Sequence, residues 1–233
     1  MGGAEAPPTK ASAPSRIAVL ASGRGSNLQA LLDAATDGRL DAEIVGVFSD
    51  KPNAQALQRV PEALRWSRDA KTYADKAEFE RELGDALAAC APDWIVCAGY
   101  MRILGDALVQ RFRGRMLNIH PSLLPKYRGL KTHARALEAG DAEHGVSVHF
   151  VIPELDAGAV IAQARIPVVP GDDAETLAQR VLEREHPLLV AVLQLAVSGR
   201  LNERGTTAEV DGHTLFTPLH LDSAGRLVSA PSE

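Results

Sequence analysis

Runs of strand-type and helix-type sequence alternate along the first half of the chain, and this alternation limits the fold more than any other feature. Apolar strand-type runs lie at 16–22, 43–50, 93–100 and 115–120. Stretches with helical spacing separate these runs, and the clearest is the amphipathic segment 76–91. Strands that alternate with helices form parallel sheets with right-handed crossovers. The sequence therefore predicts a doubly wound α/β fold with a mostly parallel, twisted sheet and a Rossmann-like N-terminal half.

Weaker patterns complete the predicted topology. Further helical stretches are expected at 28–36, at 53–66 with an interruption at Pro61, and at 133–140. Strand residues alternate on both sides of a turn within 145–168, which indicates antiparallel strands added in the C-terminal half of the sheet. A long helix is expected at 174–199, kinked or broken at Pro187. The expected parts are a disordered leader, a single domain and a C-terminal extension of short strands and tail, at 1–15, 16–201 and 202–233.

The composition limits which binding partners and which cellular compartment are expected for this chain. The formal net charge of −5 does not favour binding to nucleic acid or to an anionic membrane. No apolar stretch approaches the ~20 residues of a membrane span, and the leader lacks a secretory signal. Two cysteines, Cys90 and Cys97, form neither a disulfide framework nor a zinc pattern. We therefore expect a cytoplasmic protein that acts on small molecules and holds no metal.

A glycine turn at 22–27 joins the first strand to the first helix. Backbone N–H groups and the positive end of the helix dipole at such a junction favour an anion. A dinucleotide site would have a third glycine where Leu28 stands, and an acidic residue about 20 positions further on, which Asp50 matches only loosely. With Ser26 and Asn27 adding polar side chains, the turn predicts a site for a single phosphate. A tight turn without a ligand is the alternative.

Asn118 and His120 lie two residues apart in the strand-type run 115–120, so both side chains point to the same face of the sheet. Pro121 ends the strand there, at the edge where parallel sheets bind their substrates. Either residue alone could serve a structural hydrogen bond. An amide donor beside a proton-carrying imidazole suits reaction at a carbonyl group, so the pair predicts an enzyme.

A carboxylate commonly orients a catalytic histidine. Asp156 lies in a glycine-containing turn between two predicted strands and is a candidate for that role, in competition with Asp141, Asp172 and Asp173. The residues alone do not distinguish these four. His133 is expected at a helix cap or a site rim, and His149 is expected to be structural. No motif for covalent catalysis or metal binding is present in the sequence.

Together these motifs resemble the phosphoribosylglycinamide formyltransferases of the folate-dependent formyltransferase superfamily. The likeness runs from about residue 16 to residue 201, and its landmarks are SGRGSNLQAL (22–31), AGYMRIL (98–104), NIHPSLLPKYRGLKTHARALEAGD (118–141), HGVSVHFV (144–151), ELDAGAVI (154–161) and REH (184–186). The resemblance implies transfer of the formyl group of 10-formyltetrahydrofolate to the amine of 5-phosphoribosylglycinamide in de novo purine biosynthesis. It also implies no metal, and a monomer or a homodimer.

The resemblance further implies roles for individual residues. Asn118, His120 and Asp156 would form the catalytic set. Asn118 would stabilise the formyl oxygen, and His120 would move a proton from the attacking amine to the leaving folate nitrogen. The carboxylate of Asp156 is expected to raise the pKa of His120.

Two binding sets also follow from the resemblance. Those implied for the ribonucleotide are Gly25, Ser26, Asn27 and Glu185. Those implied for the folate are Lys76, Met101, Arg102, Ile103, Leu104 and Asn118. Two departures stand out, because Lys76 replaces an arginine frequent in bacterial relatives and Ala157 replaces a glycine after Asp156.

Other activities stay open at this point. A 10-formyltetrahydrofolate hydrolase, or a formyltransferase with another amine acceptor, could use the same catalytic residues. A tRNA-directed enzyme should show a basic surface, which this acidic chain lacks. A nucleotide-binding oxidoreductase or sensor built on the glycine turn is disfavoured by Leu28. The isomer of the Leu124–Pro125 peptide bond is also open.

Overall fold

The computed structural model describes residues 13–229. The expected leader lies outside the described residues up to residue 12, and Ser15 already belongs to the first strand. The elements in chain order are β1 (Ser15–Leu20), α1 (Ser26–Thr36), β2 (Ala42–Ser49), β3 (Arg65–Ser67), α2 (Lys76–Ala89), β4 (Trp94–Cys97), α3 (Asp106–Arg111), β5 (Met116–His120), α4 (Thr132–Glu138), β6 (Glu143–Phe150), β7 (Val160–Pro167), α5 (Ala174–Val197), β8 (Leu201–Arg204), β9 (Thr207–Val210), β10 (His213–Thr214), β11 (Leu219–Leu221) and β12 (Leu227–Val228).

One nine-stranded sheet organises the molecule, in the order β12-β11-β7-β6-β5-β4-β1-β2-β3. Strands β3, β2, β1, β4 and β5 are parallel, as the alternation with helices requires. Strand β6 then runs antiparallel to both β5 and β7. The predicted doubly wound α/β fold with antiparallel strands in its C-terminal half is confirmed. Strands β8 to β10 form a separate small sheet, whereas β11 pairs with β7 and extends the main one.

Both faces of the sheet are covered, and the alternation along β1 shows how. Ile17 and Val19 belong to the apolar cluster under α1 and α5, whereas Ala18 and Leu20 belong to the cluster under α2 and α3. All four side chains are fully buried. Strands buried on both faces are typical of parallel sheets. Among residues 13–229, no helix is long and apolar enough to cross a membrane.

Two local expectations about proline need correction. Residues 53–66 contain two short 3₁₀ helices, Gln55–Arg59 and Glu62–Leu64, and the first two residues of β3, instead of an α-helix. Pro61 lies between them, and the stretch on either side is too short for a stable α-helix. Helix α5 continues through Pro187 without a break. Leu188 and Leu189 are fully buried beside it, so apolar packing outweighs the lost hydrogen bond.

Close contact between β6 and β7 leaves no space for a side chain at Gly145. A Cβ atom there would lie 2.1 Å from the carbonyl oxygen of Ala164 and 2.8 Å from Cδ2 of Leu123. We expect Gly145→Ala to lower the free energy of unfolding by roughly 1–3 kcal/mol or more, because backbone must move. Urea denaturation measures the change, with Gly23→Ala as the control, since its Cβ would meet no atom within 4 Å. An unchanged unfolding midpoint for Gly145→Ala would contradict the packing described.

Candidate active site

The C-terminal end of β5 opens into a cavity of about 470 Å³. Its walls come from distant parts of the chain: Asn27, the segment 99–103, the strand end 118–121, the loop 129–133, residues 155 and 156, and Glu185. Loops that follow parallel strands converge at this edge of the sheet, which is where α/β folds bind ligands. Asn118 and His120 both line the cavity, as the strand alternation predicts.

His120 is buried between a carboxylate and a backbone carbonyl. Its Nδ1 lies 3.4 Å from Oδ2 of Asp156, and its Nε2 lies 2.9 Å from the backbone oxygen of Tyr127. A carbonyl oxygen can only accept, so Nε2–H donates to Tyr127 and Nδ1 faces Asp156. The backbone N–H of Gly129 also donates to Oδ2 of Asp156, at 2.8 Å. The loop 127–129 thus fixes both the imidazole and the carboxylate.

The structure distinguishes the four aspartates that the sequence left open. Asp156 is the one that faces His120, from a turn in which its backbone φ is 49°. Asp141 accepts hydrogen bonds from Lys126 and Tyr127. The other two hold helix α5 in place, since Asp172 pairs with Arg180 and Asp173 caps the helix start.

The carboxylate of Asp156 acts to raise the pKa of His120, as expected, but it does not set the direction of the net shift. Burial disfavours the charged imidazole and lowers this pKa below the ordinary histidine value, although Asp156 acts in the opposite direction. Burial also raises the pKa of Asp156, but the hydrogen bond from the Gly129 N–H and the neighbouring side chains of His149 and His120 outweigh that effect and leave this pKa lowered. At neutral pH the site therefore combines a neutral imidazole, able to accept a proton, with a carboxylate able to stabilise the product cation.

His149 belongs to this cluster, although the sequence suggested a merely structural residue. Its Nε2 lies 3.0 Å from Nδ2 of Asn118, and its Nδ1 lies 2.8 Å from the backbone oxygen of Phe150. Nδ2 of Asn118 is also 3.4 Å from Oδ1 of Asp156. His149 is the register partner of Asn118 in the antiparallel β5–β6 pair, so only the strand order reveals the contact.

The glycine turn supplies one end of the cavity. Gly25 adopts φ 73° at the N-terminus of α1, and a Cβ there would lie 2.7 Å from that of Ala56. Nδ2 of Asn27 donates to Oε2 of Glu185 at 2.7 Å, and within residues 13–229 the buried Oδ1 of Asn27 has no partner. Burial raises the pKa of Glu185. Of the predicted ribonucleotide set, Asn27 and Glu185 line the cavity, while Gly25 and Ser26 lie at the adjoining helix start.

The segment 101–104 forms the opposite end. The side chains of Met101 and Ile103 are 60% and 56% exposed and are therefore available to a ligand. The Met101 backbone N–H donates to Oγ of Ser22 at 2.9 Å, which ties the segment to the glycine turn after β1. Leu104 lines a smaller adjoining cavity of about 80 Å³, and Arg102, Asn118 and Asp156 line both cavities.

Lys76 lies apart from the other predicted folate residues. It is not among the lining residues of either cavity, and its Nζ pairs with Oε1 of Glu80 at 3.4 Å, one turn along α2.

The Leu124–Pro125 peptide bond is cis. Among residues 13–229, no group of three or more His, Cys, Asp or Glu side chains could hold a metal ion.

A second histidine pair adjoins the cavity. Nε2 of His144 lies 3.1 Å from Nδ1 of His133, which lines the cavity wall. Burial, and then the neighbouring His133, lower the pKa of His144 to about 4. The folded state thus binds fewer protons than the unfolded state below the ordinary histidine pKa of 6.5.

We therefore expect this pair to make stability pH-dependent. Stability that His144 contributes is present above pH ~6.5 and is lost as the pH falls toward about 4. Urea unfolding midpoints at pH 7 and pH 5 test this, with His144→Gln as the variant that cannot titrate. Between pH 7 and pH 5 the wild type should lose more stability than His144→Gln. Equal losses in the two proteins would show that groups other than His144 cause the loss at low pH.

Comparisons with known proteins agree with this geometry. Residues 15–193 match the family described as formyl transferase. The phosphoribosylglycinamide formyltransferase of Haemophilus influenzae is 44% identical over 205 residues, which are 86% of this chain and 95% of the relative. The solved structure of phosphoribosylglycinamide formyltransferase from Coxiella burnetii in complex with CHES has a TM-score of 0.82 at 45% identity, covering 87% of this chain and 96% of that one.

A protein with a different activity is less similar. The solved structure of a formyltetrahydrofolate deformylase from Pseudomonas syringae pv. tomato has a TM-score of 0.75 at 27% identity. The match covers 84% of this chain but 66% of the deformylase. This chain therefore has a higher sequence identity to the two transferases than to the deformylase, and it covers a larger share of their length.

Proposed function

This chain belongs to the formyl transferase family, and we propose that it transfers the formyl group of 10-formyltetrahydrofolate to the amine of 5-phosphoribosylglycinamide, a step of purine biosynthesis. The observation that carries the proposal is the cluster of Asn118, His120 and Asp156 in one cavity, with distances of 3.4 Å from Asp156 to both other side chains. A formyl group is a carbonyl carbon. Its transfer needs a donor to the oxygen and a carrier for the proton, and the cluster offers both.

The end of the cavity at α1 suits the phosphorylated amine. Helix α1 is 11 residues long, and its first backbone N–H groups and dipole favour a phosphate beside Gly25 and Ser26. The free Oδ1 of Asn27 and the carboxylate of Glu185 are acceptors suited to ribose hydroxyl groups. A phosphate anchored at the helix start and a ribose at this pair would direct the amine of the substrate toward Asn118 and His120.

The opposite end suits the folate. Exposed apolar side chains at Met101 and Ile103 offer contact area to a flat ring system, and the backbone of the segment offers hydrogen-bonding groups. The smaller cavity extends from there to Leu104 and Val151. We place the pterin ring against this segment, so that the formyl group reaches Asn118. Lys76, on helix α2, would contact at most the tail of the folate.

The reaction then requires two changes at the formyl carbon. The amine of 5-phosphoribosylglycinamide forms a new C–N bond while negative charge develops on the formyl oxygen, which an N–H of Asn118 stabilises. The amine gives up a proton to Nδ1 of His120, and Asp156 stabilises the resulting imidazolium. The bond from the formyl carbon to N10 of the folate breaks, and that nitrogen receives the proton, directly or through water.

Hydrolysis of formyl-folate is the competing activity, because water could attack at the same place. The phosphate-binding helix start and the Asn27–Glu185 pair favour the amine acceptor, since a hydrolase has no use for either. The test is the absorbance change on release of tetrahydrofolate from 10-formyltetrahydrofolate, with and without 5-phosphoribosylglycinamide. Release that depends on the amine supports the transferase, and equal release without it would refute this proposal in favour of hydrolysis.

A further inference from the structure

The side chain of Asn118 can perform its proposed task in one orientation only. Its amide must direct an N–H, and not its oxygen, toward the formyl oxygen. An asparagine amide can rotate by a half turn and exchange these two groups, unless a neighbour distinguishes them. The neighbour within close contact is His149, whose Nε2 lies 3.0 Å from Nδ2 of Asn118.

The backbone of Phe150 determines which role Nε2 plays. Nδ1 of His149 lies 2.8 Å from the Phe150 carbonyl oxygen, which can only accept, so Nδ1 carries the proton. In the neutral imidazole the other nitrogen, Nε2, is then an acceptor. Oδ1 of Asp156 lies 3.6 Å from Nε2, beyond hydrogen-bond distance. The hydrogen-bond partner of Nε2 is therefore the amide of Asn118, at 3.0 Å. His149 is 2% exposed, so solvent does not compete.

We propose that His149 is a positioning residue that fixes the amide orientation of Asn118 by accepting one of its N–H groups. The second N–H of Asn118 lies at the weak 3.4 Å contact with Asp156, from which it can turn to the formyl oxygen when substrate binds. The inference rests on the proposed function, because it gives His149 a part in formyl transfer. The Phe150 carbonyl sets the tautomer of His149, and His149 in turn sets the amide orientation of Asn118. Both contacts lie outside the three catalytic residues.

Two matched variants separate this role from a structural one. His149→Gln places an acceptor oxygen where Nε2 lies but loses the donor to Phe150. His149→Asn keeps a donor near Nδ1 but loses the acceptor for Asn118. We expect His149→Gln to retain most of the transfer activity and His149→Asn to lose kcat by roughly tenfold or more, within the ~10²–10³ that loss of an oxyanion donor costs. The KM values should change little, because the interaction strengthens in the transition state.

The opposite ranking would overturn the proposal, because a histidine that merely satisfies the Phe150 carbonyl is replaced better by asparagine. In an Asn118→Ala background the two His149 variants should differ little, and a full additional loss would also contradict the proposal. Thermal unfolding of each variant reports whether it is folded.

A measurement on the wild type does not depend on any variant. A two-bond ¹H–¹⁵N correlation spectrum of the ¹⁵N-labelled chain assigns the protonated nitrogen of each histidine. We expect Nδ1 of His149 to carry the proton and Nε2 to be free, and a protonated Nε2 would overturn the inference. Release of tetrahydrofolate without the amine would defeat the proposed function instead, and the tautomer of His149 would still be read independently.

Discussion

Replacing His120 with alanine is expected to lower kcat by ~10²–10⁴, because the site then lacks the group that carries the proton between the two nitrogens. Steady-state formyl transfer measures the loss. His213→Ala is the matched control, since His213 is exposed on β10 in the small sheet, away from the cavity. A His120→Ala enzyme with kcat within a few-fold of the wild type would remove His120 from the mechanism.

The pH dependence of the wild-type enzyme gives a second test of the same residue. Because burial lowers the pKa of His120, its imidazole stays neutral and able to accept a proton below the ordinary histidine range. As the pH is lowered, kcat/KM should therefore stay constant until the pH is below 6.5, the ordinary histidine pKa, and only then decrease. A decrease that begins above pH 6.5 would contradict a lowered pKa for His120 in the free enzyme.

Asp156→Asn is expected to lower kcat by ~10²–10⁴ through loss of the charge that stabilises the imidazolium of His120. Asparagine tolerates the positive φ of 49° at this position, so the turn should keep its shape and the thermal midpoint should change little. Asp156→Ala should lose both activity and stability, because alanine does not favour that backbone conformation.

Asp172→Asn is the control for charge removal, since Asp172 pairs with Arg180 outside the cavity. It should leave kcat unchanged. If Asp156→Asn were as active as Asp172→Asn, the carboxylate beside His120 would have no part in the reaction.

Four of the five parallel strands were predictable because their signals are local, whereas β3 begins inside a stretch where a helix was expected. Each strand-type run up to His120 lies between helical stretches, and both the strand at Met116–His120 and its two polar side chains follow from alternation within a few residues. The two errors at proline residues arose from tertiary packing, which local patterns do not show. At Pro61 and Pro187 the same residue type ended one helix and was accommodated in another, and only the burial of Leu188 and Leu189 explains the difference.

The full site was not predictable from the residues alone, because its partners meet through strand order. Asp156 could not be told from Asp172 until the β6–β7 turn was seen to return to His120. His149 was missed because its contact with Asn118 depends on antiparallel register between β5 and β6. The effect of Asp156 on the pKa of His120 has the expected direction, but the net lowering was not predictable because the degree of burial cannot be read from a motif.

The most direct test of the account follows the formyl carbon itself. The purified full chain would be given 10-formyltetrahydrofolate labelled with ¹³C in the formyl group, together with 5-phosphoribosylglycinamide, and the products would be resolved by mass spectrometry. We predict that the label appears in N-formyl phosphoribosylglycinamide in step with tetrahydrofolate release. Label recovered as formate, with 5-phosphoribosylglycinamide unchanged, would contradict the account and identify water as the acceptor.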